Sequence, residues 1–217
     1  MITAEQALWA DRLLSRFGKR ATRWYNSAVI EEDINDLLPE IMKSNREDDQ
    51  KFASIIKKSF ANLSLLPISF IICKDDSRLV AELVVKEWSQ VGLLVEREGK
   101  YYDEHKKEVS LNKNIPVAIF ATAVTDAEIV APLLKQVSEV AWIKHVCCVL
   151  DYKLPIAEEQ LRKYSIDKDS DIGIISVLTV NQCLEIGNLE DIISPREVTQ
   201  FNTWQKAQYG EIVREVA

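Results

Sequence analysis

From residue 66 onward, short apolar runs alternate with amphipathic stretches. The apolar runs are "LPISFIICK", "GLLVERE", "IPVAIFA", "HVCCVLDY" and "IGIISVLTV". Each is short, rich in β-branched residues and bounded by polar positions, the pattern of strands buried on both faces. Between them, "DDSRLVAELVVKEWSQ", "TDAEIVAPLLKQVSEV" and "AEEQLRKYS" carry apolar residues at three- and four-residue spacing and read as helices. Pro132 is expected to bend the second of these, because proline removes a backbone donor. A polar arm, "GKYYDEHKKEVSLNKN", separates the second and third runs. This alternation predicts a mainly parallel sheet with right-handed crossovers, an α/β domain over residues 66–217.

Residues 1–65 show helical periodicity and no intervening strand, which predicts an N-terminal helical cap or interaction segment. Thr3 and Gln6 form a capping-box signal, followed by Leu8, Trp9, Leu13, Leu14 and Phe17 on one face. A second helix is expected over 31–43, and a third over 47–63 with Phe52, Ile55, Ile56, Phe60 and Leu63 inward. At the other end, Ser194, Pro195 and Glu197 spell an N-cap, a first-turn proline and the acid of a capping box. Val198, Phe201, Trp204, Ile212 and Val213 would form the inner face of that last helix.

Composition narrows the function classes. The chain has 27 basic against 34 acidic residues, a net charge of −7, which argues against broad nucleic-acid binding. A local basic cluster remains in Arg12, Arg16, Lys19, Arg20 and Arg23, next to Trp24 and Tyr25. It reads either as a solvated helix end favoured by the dipole or as a nucleic-acid contact. The four cysteines, Cys73, Cys147, Cys148 and Cys183, lie mainly in apolar runs without metal-ligand spacing and read as buried thiols. No apolar run approaches the ~20 residues that span a bilayer, and the first residues lack a signal-peptide pattern, so a cytoplasmic protein without membrane partners is expected.

In an open parallel sheet, ligands bind beyond the carboxyl ends of the strands, near the point where strand order reverses. Here those ends are "CKDDSR", "ERE", "FATAVTDAE", "VLDYK" and "VLTVNQ". Phosphate sites at helix N-termini use free N–H groups, helped by glycine. Of the six glycines, none lies between Gly18 and Gly92 or between Gly99 and Gly173. Carboxylates stand in both candidate phosphate turns instead. Asp75, Asp76 and Ser77 form one turn, and Thr122, Thr125, Asp126 and Glu128 the other. One reading makes them helix caps, with Thr125 and Glu128 as a capping box and Asp75 or Asp76 as an N-cap. The other makes them ligands for a sugar hydroxyl or a metal, with Asp126 and Asp151 as candidate catalytic groups.

The order of elements over about two thirds of the chain resembles the type I phosphoribosyltransferases, particularly their orotate-type branch. That family carries four apolar residues, two acids, two apolar residues and then Thr-Thr-Gly-Gly. Here "VAIF" supplies the apolar run, Ala121 and Thr122 stand where the acids belong, and Ala123 and Val124 fit. Thr125 matches the first threonine, while Asp126, Ala127 and Glu128 replace the rest. The family's pyrophosphate turn corresponds to "CKDDSR", and Arg97, Lys100 and His105 loosely match its basic flexible arm. "LRKYSIDKDSDIGIISVLTVNQCLEI" resembles the strand and helix after the family's sugar-phosphate loop.

The resemblance implies a phosphoribosyltransferase-like parallel sheet flanked by helices, with an N-terminal helical cap. The broken motif implies a noncatalytic binding or assembly subunit, forming a homodimer or a hetero-assembly with another protein. Tyr101 and Tyr102 are then either partner contacts or residues that fold back on the sheet. Two alternatives stand beside this: a phosphoribosyltransferase or nucleoside glycosyl-transfer enzyme with an acidic site built from Asp75, Asp76, Asp126 and Asp151, and a nucleic-acid-associated regulator using the basic cluster. No cofactor is expected, and magnesium enters only with the enzyme alternative.

Overall fold

The structure, a computed structural model, describes residues 47–60, 67–86, 90–125, 127, 130–165 and 171–215, together with positions 7, 10, 14 and 34. Its elements in chain order are α1 (Glu47–Phe60), β1 (Phe70–Cys73), α2 (Arg78–Val85), β2 (Gly92–Arg97), β3 (Lys100–Tyr102) and β4 (Pro116–Val124). There follow α3 (Ala131–Val140), β5 (Trp142–Asp151), α4 (Pro155–Arg162), β6 (Gly173–Thr179), α5 (Val180–Leu189) and α6 (Pro195–Glu215).

The six strands form one sheet in the order β3-β2-β1-β4-β5-β6. Neighbours from β2 to β6 are parallel, and β3 alone runs antiparallel against β2. Strand order therefore reverses between β1 and β4, because the chain steps from β1 to β2 on one side and returns to β4 on the other. Two-residue periodicity divides the core between the faces. Ile71, Cys73, Ala118, Phe120, Cys147 and Val177 pack beneath α1, α2, α5 and α6 through Phe60, Ala81, Val84, Leu184 and Phe201. Ile72, Val117, Ile119, Val146 and Cys148 face α3 and α4 through Leu133, Leu134, Val137 and Leu161. Phe60 stands edge-on to Phe120, with ring centroids 6.1 Å apart, which seats α1 over the middle of the sheet. All four cysteines are buried, as their apolar surroundings predict.

Several boundaries differ from the sequence reading. β4 continues through Ala121, Thr122, Ala123 and Val124, because this stretch is buried and paired with β5 as far as Val124↔Asp151. The next helix begins at Ala131 with Val130 as N-cap and no side-chain cap bond. The expected Thr125 cap is therefore not the start of α3. Pro132 opens the first turn of α3 rather than bending it, where a missing N–H costs nothing. The arm is partly sheet: Glu98 (φ 51°) and Gly99 (φ 84°) make a two-residue turn with both centres left-handed, and β3 folds back on β2. β6 passes directly into α5, whose Thr179 and Gln182 form a complete capping box.

The last helix starts as its sequence predicts. Ser194 N–H donates to Glu197 Oε2 at 2.9 Å, and Glu197 N–H donates to Ser194 Oγ at 3.3 Å. Phe201 is buried, with Val198 and Trp204 packed against the same cluster. The side chains of Ile212 and Val213 lie outside the described residues, as do most of the first expected helix and most of the second. Ala10, Leu14 and Ile34 are helical and belong to the core cluster on the α1 face.

Candidate functional site

The reversal of strand order places the expected site at the carboxyl ends of β1 and β4. The β1 end is the turn Lys74, Asp75, Asp76, Ser77 leading into α2, whose N-cap is Ser77 with no side-chain cap bond. Neither aspartate is thus the N-cap of α2. Asp76 nevertheless holds the turn: its Oδ1 accepts the Ser77 N–H at 2.6 Å and the Ser77 hydroxyl at 3.0 Å. Ser77 is 4% exposed, and its hydroxyl stands 3.4 Å from Thr122 Oγ1 on β4. This contact ties the two strands that flank the reversal. The crevice between them, bordered by Lys74, Asp76, Ser77, Phe120 and Leu133, has a volume of about 20 Å³. That is room for about one water molecule.

One strand over, a depression of about 820 Å³ lies at the ends of β1 and β2. Arg97 crosses it: Nε donates to Asp75 Oδ2 and Nη2 to Asp75 Oδ1, both at 2.6 Å. This fork-to-fork geometry is the strong form of an arginine–carboxylate pair. The Arg97 hydrogen bonds hold the Asp75 carboxyl below the usual carboxylate range, and Asp75 in turn raises Arg97. Two more of the expected arm residues stand beside acids of the arm. Lys100 Nζ lies 2.9 Å from Glu108, and His105 Nε2 lies 3.5 Å from Glu104.

Asp151 ends β5 fully buried, with Lys153 N–H donating to Oδ1 at 2.7 Å and Lys153 Nζ 2.7 Å from Oδ2. Lys153 is left-handed at φ 53°, the conformation that folds its backbone N–H and its ammonium onto the same carboxylate. Thr125 is buried at the β4 end. Asp126 and Glu128 lie outside the described residues, as do Arg12, Arg16, Lys19, Arg20 and Arg23. Between the two acids, Ala127 is described: it is buried, at φ 68°, and its carbonyl accepts the Ala131 N–H at 2.8 Å. Glycine is the usual residue at such an angle. Among the described residues, no three His, Cys, Asp or Glu side chains gather as a metal site would require.

The structure thus joins Asp75 to Arg97 and Ser77 to Thr122, and keeps Asp151 apart with Lys153. A polar cluster that the sequence reading missed is Glu96 with Gln136: Glu96 Oε1 accepts the Gly99 N–H at 2.9 Å and Gln136 Nε2 at 3.3 Å. Tyr101 is buried beside α3, and that desolvation raises its phenol pKa.

No protein-family model matches the chain, and no curated protein matches it in sequence. Solved structures do match it in shape. The UMP synthase of Leishmania donovani superposes with a TM-score of 0.56 at 13% identity, over 72% of this chain and 33% of that one. The orotate phosphoribosyltransferase of Francisella tularensis gives 0.51 at 11% identity, over 75% and 78% of the two chains. The adenine phosphoribosyltransferase of Leishmania tarentolae gives 0.51 at 14% identity, over 69% and 78%. The match therefore spans one third of the UMP synthase and more than two thirds of the other two. Together with the strand order and its reversal between β1 and β4, this likeness establishes that the chain has the type I phosphoribosyltransferase fold.

Proposed function

We propose that this chain is a noncatalytic protein of the phosphoribosyltransferase fold, acting as a binding or assembly subunit, as a homodimer or with a second protein. One observation carries the reading: at the strand reversal the chain's own carboxylate accepts from the donors of Ser77. Asp76 Oδ1 receives both the N–H and the hydroxyl of Ser77, in a crevice of about 20 Å³. A phosphate entering there would meet a fixed negative charge and have no free donors from Ser77. Asp75, the other acid of the turn, is committed to Arg97. No cofactor belongs to this reading, in which both oxygens of Asp75 hold Arg97 and Asp76 Oδ1 holds Ser77.

The acidic-site alternative receives less support. Glycosyl transfer needs a carboxylate that reaches a sugar, whereas Asp151 is 0% exposed and bound twice by Lys153. The test is calorimetry of the full chain with phosphoribosyl pyrophosphate and magnesium. No heat of binding at millimolar ligand is expected, and micromolar affinity would overturn the reading.

A further inference from the structure

We propose that the outer edge of β2 is a docking site for an extended segment of a partner protein, one carrying an apolar side chain flanked by Lys or Arg. The inference builds on the reading of the chain as a binding subunit and names the surface it would use. β2 is six residues long, but β3 covers only its last three, with Val95, Glu96 and Arg97 paired to Tyr102, Tyr101 and Lys100. β3 stops because Asp103 turns the chain away: its Oδ1 accepts the N–H groups of His105 at 2.9 Å and Lys107 at 2.8 Å. Asp103 N–H then donates to the Lys107 carbonyl at 3.0 Å, closing the turn.

Among the described residues, the first half of β2 is paired on one side. Gly92 donates its N–H to the Ser69 carbonyl at 2.9 Å, toward β1. Backbone groups alternate in direction along a strand, so those of Leu93 point to the outer edge. Among the described residues they meet no backbone partner there. An open edge of this kind is a template for another strand.

The edge also adjoins a groove. About 470 Å³ of space lies between α2, the start of β2 and the Asp103 turn, with Phe70, Val85 and Leu93 among its apolar lining. That volume falls within the ~300–1,000 Å³ usual for ligand pockets and accepts one aromatic or branched side chain. Glu82 on its rim is paired with Arg78, and the two remaining acids, Asp103 and Glu104, outnumber its one lysine, Lys86. Charge complementarity with a rim of this sign, on a chain of net charge −7, selects a basic rather than an acidic segment. Strand addition combines the two features: main-chain hydrogen bonds hold the segment, and the groove reads its side chain.

The test uses the full chain and a fluorescein-labelled peptide, Lys-Val-Phe-Val-Lys. Saturable anisotropy is expected, with slowed hydrogen exchange at the Leu93 amide. Two N-methylated versions, one at the phenylalanine amide and one at both valine amides, separate strand pairing from adhesion. The version that blocks the N–H facing β2 should bind about fivefold more weakly, and the other should bind as the parent peptide does. Glu104→Lys and the peptide Glu-Val-Phe-Val-Glu should each weaken binding several-fold. The proposal fails if binding does not saturate, if both methylation patterns leave it unchanged, or if Leu93 exchange is unaltered. It also fails if sedimentation shows a dimer of the chain that the peptide dissociates, since a second copy would then hold the edge. None of these outcomes bears on phosphoribosyl pyrophosphate binding, so the two readings stand or fall separately.

Discussion

Arg97 grips Asp75 through two parallel hydrogen bonds, Nε to Oδ2 and Nη2 to Oδ1, each 2.6 Å long. The pair joins the turn after β1 to the end of β2, across 22 positions of sequence. It narrows what the depression beside it can hold, because Arg97 there already holds an anion of the chain.

The Asp75 carboxyl is held below its ordinary value by Arg97, which fixes the sign of its pH dependence. A lowered carboxyl pKa contributes stability above the unfolded value of about 3.9, and that contribution is lost as pH falls through the folded value. Both side chains are well exposed, so the contribution is small. Asp75→Asn should lower the urea midpoint slightly at pH 7, and the difference from the parent should vanish toward pH 2. An equal difference at both pH values would show that the aspartate acts through something other than its charge.

The strands of the parallel sheet were legible because their burial on both faces writes continuous apolar runs such as "FIIC" and "HVCCVL" into the sequence. The Ser194/Glu197 box was legible because both partners lie within one turn. Three features were not, for distinct reasons. β6 runs into α5 with no loop between them, so Thr179 and Gln182, a T-x-x-Q signal, are what marks the change. The "TDAE" stretch carries the same kind of local signal, yet the chain there turns through a left-handed Ala127 and starts its helix later. The Asp75–Arg97 and Ser77–Thr122 contacts depend on strand order, which local pattern does not encode. The acids of the β1 turn were therefore recognised as important while their partners were not.

Gly187 in α5 sets two effects against each other. In an exposed helix, alanine is about 1 kcal/mol better than glycine. Here an added Cβ would stand 2.9 Å from Ile193 Cδ1 and 3.0 Å from Leu14 Cδ1. Overpacking a buried site costs about 1–3 kcal/mol, so it outweighs propensity. Gly187→Ala is expected to lower stability by about 1 kcal/mol in urea denaturation. A gain would show that Ile193 and Leu14 yield freely.

Lys153 should matter more to stability than its partly exposed head suggests. Its ammonium and backbone N–H both meet the fully buried Asp151 carboxylate. Removing one partner of a buried pair costs about 3–5 kcal/mol, less here because the backbone donor remains. Lys153→Met is expected to cost about 2 kcal/mol, and adding Asp151→Asn should restore about half of that by removing the stranded charge. If the second change deepens the loss, Asp151 is held by something besides Lys153.

Ala127 offers a test of the turn between β4 and α3. The resemblance sets Ala127 against the first glycine of Thr-Thr-Gly-Gly, and its φ of 68° keeps a glycine-like conformation in the absence of glycine. A left-handed conformation costs a non-glycine residue about 1–2 kcal/mol. Ala127→Gly would remove that strain but lose about 0.5–1 kcal/mol to chain entropy and about 0.8 kcal/mol of methyl burial. These terms nearly cancel, so the variant should unfold within about 0.5 kcal/mol of the parent, whereas the same exchange inside a right-handed helix costs about 1 kcal/mol. Ala127→Val, with a branched side chain forced into the left-handed region of a buried site, should cost about 2 kcal/mol or more. Urea denaturation of the three proteins reads both outcomes. A glycine variant more than about 1 kcal/mol weaker, beside a tolerated valine, would mean that position 127 does not hold the left-handed conformation.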